Sequence, residues 1–287
     1  MRRTAALVLA ALAVSLGTVG TAWAITGGEL DGNGHPNVAM IVFYQPDGRF
    51  RCSATLVSPT VLVTAAHCTE GVLGKTIVTF DSVAPPTSPR AADDAGDGMS
   101  QVGYEQDKVP APWLTGTPHA HPLFDGTLQL NNLHDVGVVV LDRPYTAATP
   151  ATLPPANYLE TLAKSNGNGG LGKQTFTLVG YGVFFEKPAD GPQKPSDLAG
   201  NDRTRRVTTA VGQMISSQVL KLAENANDSR AGGGSCFGDS GGPVFNGGYI
   251  VADTSYGASP FCRSFGAYYR LDTADARSFL DDFVTLP

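Results

Sequence analysis

Charged residues are scarce, at 16% of the chain, and the formal net charge is −6. A nucleic-acid backbone needs clustered Lys and Arg, so that class of partner is disfavoured. After the first two dozen residues there is no long apolar run, and nothing beyond that point is long enough to span a bilayer as a helix. Cysteine is limited to Cys52, Cys68, Cys236 and Cys262. The paired C-x-x-C spacing of a structural zinc site is missing. Strong internal repeats are absent, and so are the long helical patterns that alternate with strands in parallel sheets. Gly (34) and Pro (20) instead punctuate short runs rich in Val, Ile, Thr and aromatics, the composition of a turn-rich, mostly β protein.

The one apolar run lies at the start. Arg2 and Arg3 precede a nearly unbroken apolar stretch from Ala5 to Val19, and Ala22-Trp23-Ala24 forms an A-x-A site, so residues 1–24 are expected to be a secretion signal with Ile25 as the new N-terminus. A membrane anchor is the weaker alternative, because the run is short and small residues follow it at once. The arginine pair also resembles a twin-arginine signal, with the general secretory route preferred. Removing these 24 of 287 residues leaves 263, and the charge falls from −6 to −8 as Arg2 and Arg3 leave. The mature chain is then expected outside the cell, free of the membrane, with room for one large or two small cores.

Strand-length segments are read at 38–44, 55–64, 76–80, 136–141, 175–179, 207–211, 249–254 and 266–271, which favours antiparallel sandwiches or barrels. One helix is expected after Asp272 and Thr273, with Ala276, Phe279, Leu280 and Phe283 on the face toward a barrel. Segments 83–118 and 186–206 read as surface loops, and 147–155 reads as a linker between halves. The acidic cluster around Asp93, Asp94 and Asp97 lacks regular calcium-loop spacing and is read as a solvated turn. Asn227-Asp228-Ser229 fits a glycosylation sequon, a pattern common by chance. An even number of cysteines in an exported chain indicates two disulfides, and of the three possible pairings Cys52–Cys68 with Cys236–Cys262 joins chain neighbours.

Chemistry is concentrated in Cys236-Phe237-Gly238-Asp239-Ser240-Gly241-Gly242-Pro243. A serine between glycines suits a sharp turn that points its own amide and that of Gly238 into one small space, as an oxyanion requires. The same letters satisfy the G-x-S-x-G elbow of lipases, which places its histidine after the serine. Here His35, His67, His119, His121 and His134 all precede Ser240, so the lipase order fails. A subtilisin-like order would need an aspartate ahead of His67, where there is no convincing acidic motif.

The order His, Asp, Ser remains, with His67 in Thr64-Ala65-Ala66-His67-Cys68 and Asp135 ahead of the 136–141 strand. With the segment Ser255-Tyr256-Gly257 before Cys262, these motifs make the chain from Ile25 onward resemble the chymotrypsin-like (trypsin-like) serine endopeptidases. The resemblance implies an all-β fold of two antiparallel six-stranded barrels and a C-terminal helix, with residues 25–150 carrying His67 and Asp135 and 151–287 carrying Ser240. It implies Ser240 as nucleophile, His67 as general base, Asp135 as its orienting partner, and the amides of Gly238 and Ser240 as oxyanion donors. It also implies that Cys52–Cys68 braces the histidine loop and Cys236–Cys262 ties the nucleophile loop to the pocket wall. Substrates are expected to be proteins or peptides, cleaved by a monomer with no cofactor and no metal. The competing class is a silent binding protein on the same scaffold.

The resemblance further pairs a freshly made Ile25 ammonium with Asp239, so signal removal alone would yield an active enzyme. An amine kept protonated by Asp239 then makes activity fall at high pH. Gly234 is expected at the pocket floor, with Ser255, Tyr256, Gly257 and Gly266 along the walls. No carboxylate is then expected to await Lys or Arg, and a bulky apolar side chain is preferred, with Arg263 near enough in sequence to alter the electrostatics. His134 is expected at the surface, His35 to be structural, and the His119-x-His121 pair to be too few ligands for a metal.

Overall fold

A computed structural model describes residues 25, 28–127, 132–165, 170–185, 198–200, 202–224, 232–259, 262 and 264–287. The expected signal 1–24, the sequon at Asn227, Arg263 and much of the 186–206 loop lie outside the described residues. A short strand β1 (Glu29–Leu30) leads into the first barrel, built from β2 (Val38–Gln45), β3 (Gly48–Ser58), β4 (Val61–Thr64), β5 (Leu73–Thr79), β6 (Leu114–Ala120) and β7 (Gly137–Leu141). These six close in the order β2-β3-β4-β7-β6-β5, every pair antiparallel.

After helix α1 (Tyr158–Ser165) come β8 (Thr175–Gly180), a small hairpin of β9 (Phe184–Phe185) and β10 (Leu198–Gly200), β11 (Arg206–Ile215), β12 (Val219–Glu224), β13 (Pro243–Asn246), β14 (Tyr249–Gly257) and β15 (Ser264–Arg270). Pairing of β11 with β8 closes the second ring, β8-β11-β12-β15-β14-β13, and β1 adds to the edge of β11. The chain ends in helix α2 (Ala274–Leu280), which Thr273 caps by accepting from Ala276 N–H. The fold is the all-β pair of six-stranded antiparallel barrels expected from sequence.

Strand β2 explains why its sequence is apolar without alternation. Ala39, Ile41 and Phe43 point into the first barrel, while Val38, Met40, Val42 and Tyr44 join a separate cluster with Tyr104, Trp113, Val179 and Tyr181. Both faces are buried, so both carry hydrophobic residues. Helix α2 fills the junction of the two barrels: Ala276, Phe279 and Leu280 pack with Val61, Val63 and Val138 on one side and with Val219, Ala267 and Tyr269 on the other.

Several expectations need correction. The 55–64 segment is two strands, since β3 ends at Ser58 and β4 begins at Val61. Strands β6, β12 and β13 and helix α1 carry weak local signals. In β6, Gly116 and Pro118 lower strand propensity, yet a Cβ at Gly116 would meet Val139 and Val140 of the neighbouring strand. Segment 83–118 is not a solvated loop. Asp94 accepts from Tyr44 Oη (2.5 Å), Arg49 donates to Tyr104 Oη (2.8 Å) and to the Pro89 carbonyl (2.8 Å), and Ala84, Ala91 and Trp113 are buried.

The two barrels are tied by Arg205, which is fully buried. Its guanidinium donates to Asp31 (2.8 Å), to the carbonyls of Gly32, Val38 and Phe80 (2.9, 2.9 and 3.0 Å), and to Tyr181 Oη (3.1 Å). Asp31 also accepts from His35, and the Val38 carbonyl also accepts from Tyr181 Oη, so the guanidinium completes a buried network. Burial opposes the Asp31 charge, but hydrogen bonds from His35 and Arg205 prevail and pull its pKa down to about 2. Replacing Arg205 with Met leaves Asp31 to His35 alone and takes a donor from three buried carbonyls, and denaturant unfolding should show a loss of roughly 3–5 kcal/mol. A loss under about 1 kcal/mol would mean that water replaces the guanidinium.

Candidate active site

Asp135 and His67 meet where the first barrel opens. His67 lies in a 3-10 turn (Ala66–Cys68) directly after β4, and Asp135 lies just before β7; β4 and β7 are paired neighbours, so their ends come together. The ring Nδ1 is 2.9 Å from Asp135 Oδ2 and 3.1 Å from Oδ1, and the His67 backbone N–H donates to Oδ1 at 2.9 Å. Ser255 Oγ donates to Oδ2 at 2.5 Å. Asp135 is completely buried, whereas the His67 ring is about a third exposed. Burial pushes Asp135 up, but the His67 charge and these hydrogen bonds outweigh it and hold the carboxyl below its ordinary range. For His67, burial favours the neutral ring, and the Asp135 charge and hydrogen bond reverse that and raise its pKa.

Ser240 arrives from the second barrel on the loop between β12 and β13. Its carbonyl accepts from Ser53 N–H of β3 (2.8 Å), and Ser53 Oγ donates to the Gly238 carbonyl (3.1 Å) while accepting from Tyr181 N–H (3.0 Å). Thr64, at the end of β4, donates to the Ser53 carbonyl at 2.8 Å. Gly241 has φ +71°, and a Cβ there would collide with Thr64 Oγ1 and the Ala65 and Ser53 backbones, so only glycine lets the loop approach. The amides of Asp239, Gly241 and Gly242 are spent on Cys236, Thr254 and Asp239 carbonyls. Among the described residues, those of Gly238 and Ser240 have no protein acceptor.

Ser240 opens into a cavity of about 360 Å³ lined with Ser235, Ser255, Tyr256, Gly257 and Cys262 among others. Ser255 and Tyr256 also line the adjoining cavity that holds His67. The hydrogen bonds of the described residues do not include one between Ser240 Oγ and His67 Nε2, a contact that often tightens only around a bound substrate. Disulfides join Cys52 to Cys68 and Cys236 to Cys262, the pairing expected, and flank the histidine turn and the nucleophile loop.

Of the expected pocket residues, Ser255, Tyr256 and Gly257 line this cavity. Gly234 and Gly266 do not line the cavity, and a Cβ on Gly234 would overlap the side chain of Glu224, while one on Gly266 would overlap its Oε1. Glu224, from β12, therefore packs against both glycines, and it is not among the residues that line the cavity. Sequence reading also missed Ser53 and the hold of Ser255 on Asp135. For Glu224 the one local signal is strand phase, since Leu220, Leu222 and Glu224 share the buried face of β12.

Asp239 is fully buried and accepts from Gly182 N–H (2.7 Å) and Cys236 N–H (2.8 Å). Burial dominates and lifts its pKa to about 7. Ile25 is buried as well. His134 is buried and not at the surface; its ring contacts Asp275 (2.8 Å) and stacks on His121. His121 thus pairs with His134 and Asp275, not with the exposed His119, and its Nδ1 accepts from Leu123 N–H (3.2 Å). His35 is structural as expected, held to Asp31 at 2.5 Å.

The family model for trypsin matches residues 25–273. The chain belongs to the trypsin family. Trypsin of Saccharopolyspora erythraea is 27% identical over 235 residues, covering 81% of this chain and 86% of that protein. Serine protease 7 of Drosophila melanogaster is 26% identical over 229 residues, 75% of this chain and 52% of its own length. Among solved structures, HL collagenase superposes with a TM-score of 0.58 at 18% identity, covering 90% of this chain and 96% of that one. An inactivated protease paralogue of the scabies mite matches at a TM-score of 0.52 and 14% identity, with 90% and 98% covered. These solved structures share the fold alone, so activity must be argued from side chains.

Ser53 is the side chain through which the first barrel positions the Ser240 loop. In Ser53→Ala the Tyr181 N–H loses its acceptor inside the protein, which should cost about 1–3 kcal/mol in unfolding experiments. Because the Gly238 carbonyl is released as well, the rate of labelling of Ser240 by a fluorophosphonate should fall further than stability does. An unchanged labelling rate would show that the loop holds its shape without Ser53.

Proposed function

We propose that this trypsin-family protein is a secreted serine endopeptidase in which Ser240, His67 and Asp135 act together. The observation that carries the reading is the conjunction of an imidazole gripped at Nδ1 by a buried, doubly supported carboxylate with two unspent amides beside a serine. With Nδ1–H directed to Asp135, Nε2 carries the lone pair and can take the Ser240 proton as Oγ attacks a peptide carbonyl. Negative charge then develops on the carbonyl oxygen, where the Gly238 and Ser240 amides stabilise it without reorganisation. Collapse expels the amine, which receives the proton from His67 and leaves an acyl-enzyme on Ser240. Water attacks the ester by the same route, and the serine regains its proton.

Activation is read as removal of residues 1–24. The freed Ile25 ammonium would meet the carboxyl of Asp239, and the ion pair would order the loop that carries both amides. Secretion agrees with the two disulfides. Preference for a bulky apolar residue before the scissile bond stays part of the reading, since the cavity beside Ser240 is lined by no charged side chain among the described residues.

Intact mass of the secreted protein with and without a fluorophosphonate tests the reading. The expected result is a chain beginning at Ile25 that gains one adduct, with no adduct in Ser240→Ala and labelling about 10⁴-fold slower in Asp135→Asn. An Ile25 chain without an adduct would identify a binding protein on a protease scaffold, and a longer unreactive chain a zymogen.

The carboxyl of Asp239 gives a second test. Its folded pKa of about 7 lies above the ordinary 3.8. A proton held more tightly when folded than when unfolded makes stability fall as pH rises between those values. The form with residues ahead of Ile25 should lose on the order of 4 kcal/mol across that window. The form beginning at Ile25, with an ammonium against the carboxylate, should not, and parallel losses in both forms would rule out the pairing.

A further inference from the structure

The loop that carries Ser240 borders a second cavity, of about 400 Å³. Phe237 lines both cavities, while Gly238, read as an oxyanion donor, lines only the second. Its other walls include three arginines. Arg49 and Arg51 lie on β3 in phase with Ser53, opposite Cys52 and Ala54 of the barrel core, so they share the strand face that fastens the Ser240 loop. Arg51 Nε is only 3.2 Å from where a Cβ on Gly238 would stand. Arg203 enters from the segment ahead of β11, where its carbonyl accepts from Ala84 N–H (3.0 Å). Its Nη1 is buried and has no acceptor among the described residues. A buried cationic donor left without an acceptor is costly, and an anion from outside would satisfy it. No acid lines this cavity among the described residues, and Asp202, beside Arg203 in the chain, is bound to Arg206. Burial holds the Arg51 guanidinium below its ordinary range, and the Arg203 charge adds to it against the attraction of Asp239 and Asp202.

We propose that this arginine-lined cavity binds an acidic side chain on the leaving-group side of the substrate, so that the enzyme selects peptides with Asp or Glu shortly after the scissile bond. The inference rests on the reading of Ser240 as the nucleophile. With the carbonyl seated on the Gly238 and Ser240 amides and the residue before the bond in the Ser240 cavity, the chain that follows the bond passes Gly238 toward the arginines. A guanidinium presents two parallel N–H donors to a carboxylate, and partial burial strengthens the contact. Arg49 is already fixed by Tyr104 and the Pro89 carbonyl, so its cation is held in place before a substrate arrives. Phe50 and Phe237 also border the cavity and are 40% and 60% exposed, which gives the apolar stem of such a side chain a surface to lie on.

The test uses internally quenched peptides, amidated at the C-terminus, that carry Glu or its neutral isostere Gln at the first, second or third position after the scissile bond and are otherwise identical. At the position that reaches the arginines, the secreted protein should cleave the Glu peptide with kcat/KM about 10-fold above the Gln peptide. That ratio should shrink as salt is added and fall toward one in Arg203→Gln and Arg51→Gln, while Arg203→Lys keeps part of it. Each ratio is taken within one variant, so a general loss of activity or stability cancels. A ratio near one at all three positions would overturn the proposal, as would a ratio that both Gln variants leave unchanged. A gain seen only when the C-terminus is left as a free carboxylate would put chain ends in the cavity instead of acidic side chains, and would overturn it too. Calorimetry of the same peptides on Ser240→Ala reads binding without turnover: tighter binding of the Glu peptide supports the site, and equal binding overturns it. Absence of a fluorophosphonate adduct on Ser240 marks failure of the catalytic reading instead, and the calorimetry still decides the role of the arginines.

Discussion

Ser240 belongs to the second barrel, yet its loop is fastened to the first through Ser53, and the positions of the site's other parts follow from that attachment. Ser53 touches the loop at two carbonyls and secures the Tyr181 amide at the same time, so three backbone groups of the second barrel are satisfied by one residue of the first. Thr64 holds the Ser53 carbonyl and stands where a Cβ on Gly241 would be. The histidine turn begins two residues after Thr64. The loop and the imidazole therefore share one anchor, and neither could shift without breaking buried hydrogen bonds.

The buried carboxylates divide into two groups by the partners that the fold gives them. Asp31 and Asp135 are supplied with a guanidinium or imidazole and with hydroxyl or amide donors, and both are held below their ordinary range. Burial is the largest influence on all five, but at Asp239, Glu224 and Asp253 nothing outweighs it, and these three are held above their ordinary range. Asp253 lies two residues before Ser255 on β14, feels the charge of Asp135, and has neither oxygen paired among the described residues. Raised acids are thus gathered around the nucleophile loop, while lowered ones brace the barrel junction and the imidazole. A cation arriving at a raised acid gains more than one arriving at an acid already satisfied.

What was legible in the sequence was local or tied to chain order. Ser240 was found from its glycine neighbours, His67 and Asp135 from their order and flanking apolar strands, and Thr273 from its place before an apolar helix face. Strands with strong β-branched character, such as β2 and β7, were read nearly to their ends. Strands β6 and β12 were not, because Gly116, Pro118, Lys221 and Glu224 dilute the pattern and only barrel closure compensates for their low propensity.

By itself the sequence determined which groups carry the chemistry, since a nucleophile, a base and glycine turns are recognisable from residue type and short spacing. Tertiary structure alone decided which acids those groups meet. Glu224 packs against Gly234 and Gly266, Ser255 supports Asp135 across 120 residues of chain, and His134 is drawn inward by Asp275. Such contacts depend on how two closed barrels are set against one another, and the free energy of a buried charge depends on every neighbour brought to it, not on the residues beside it in the chain.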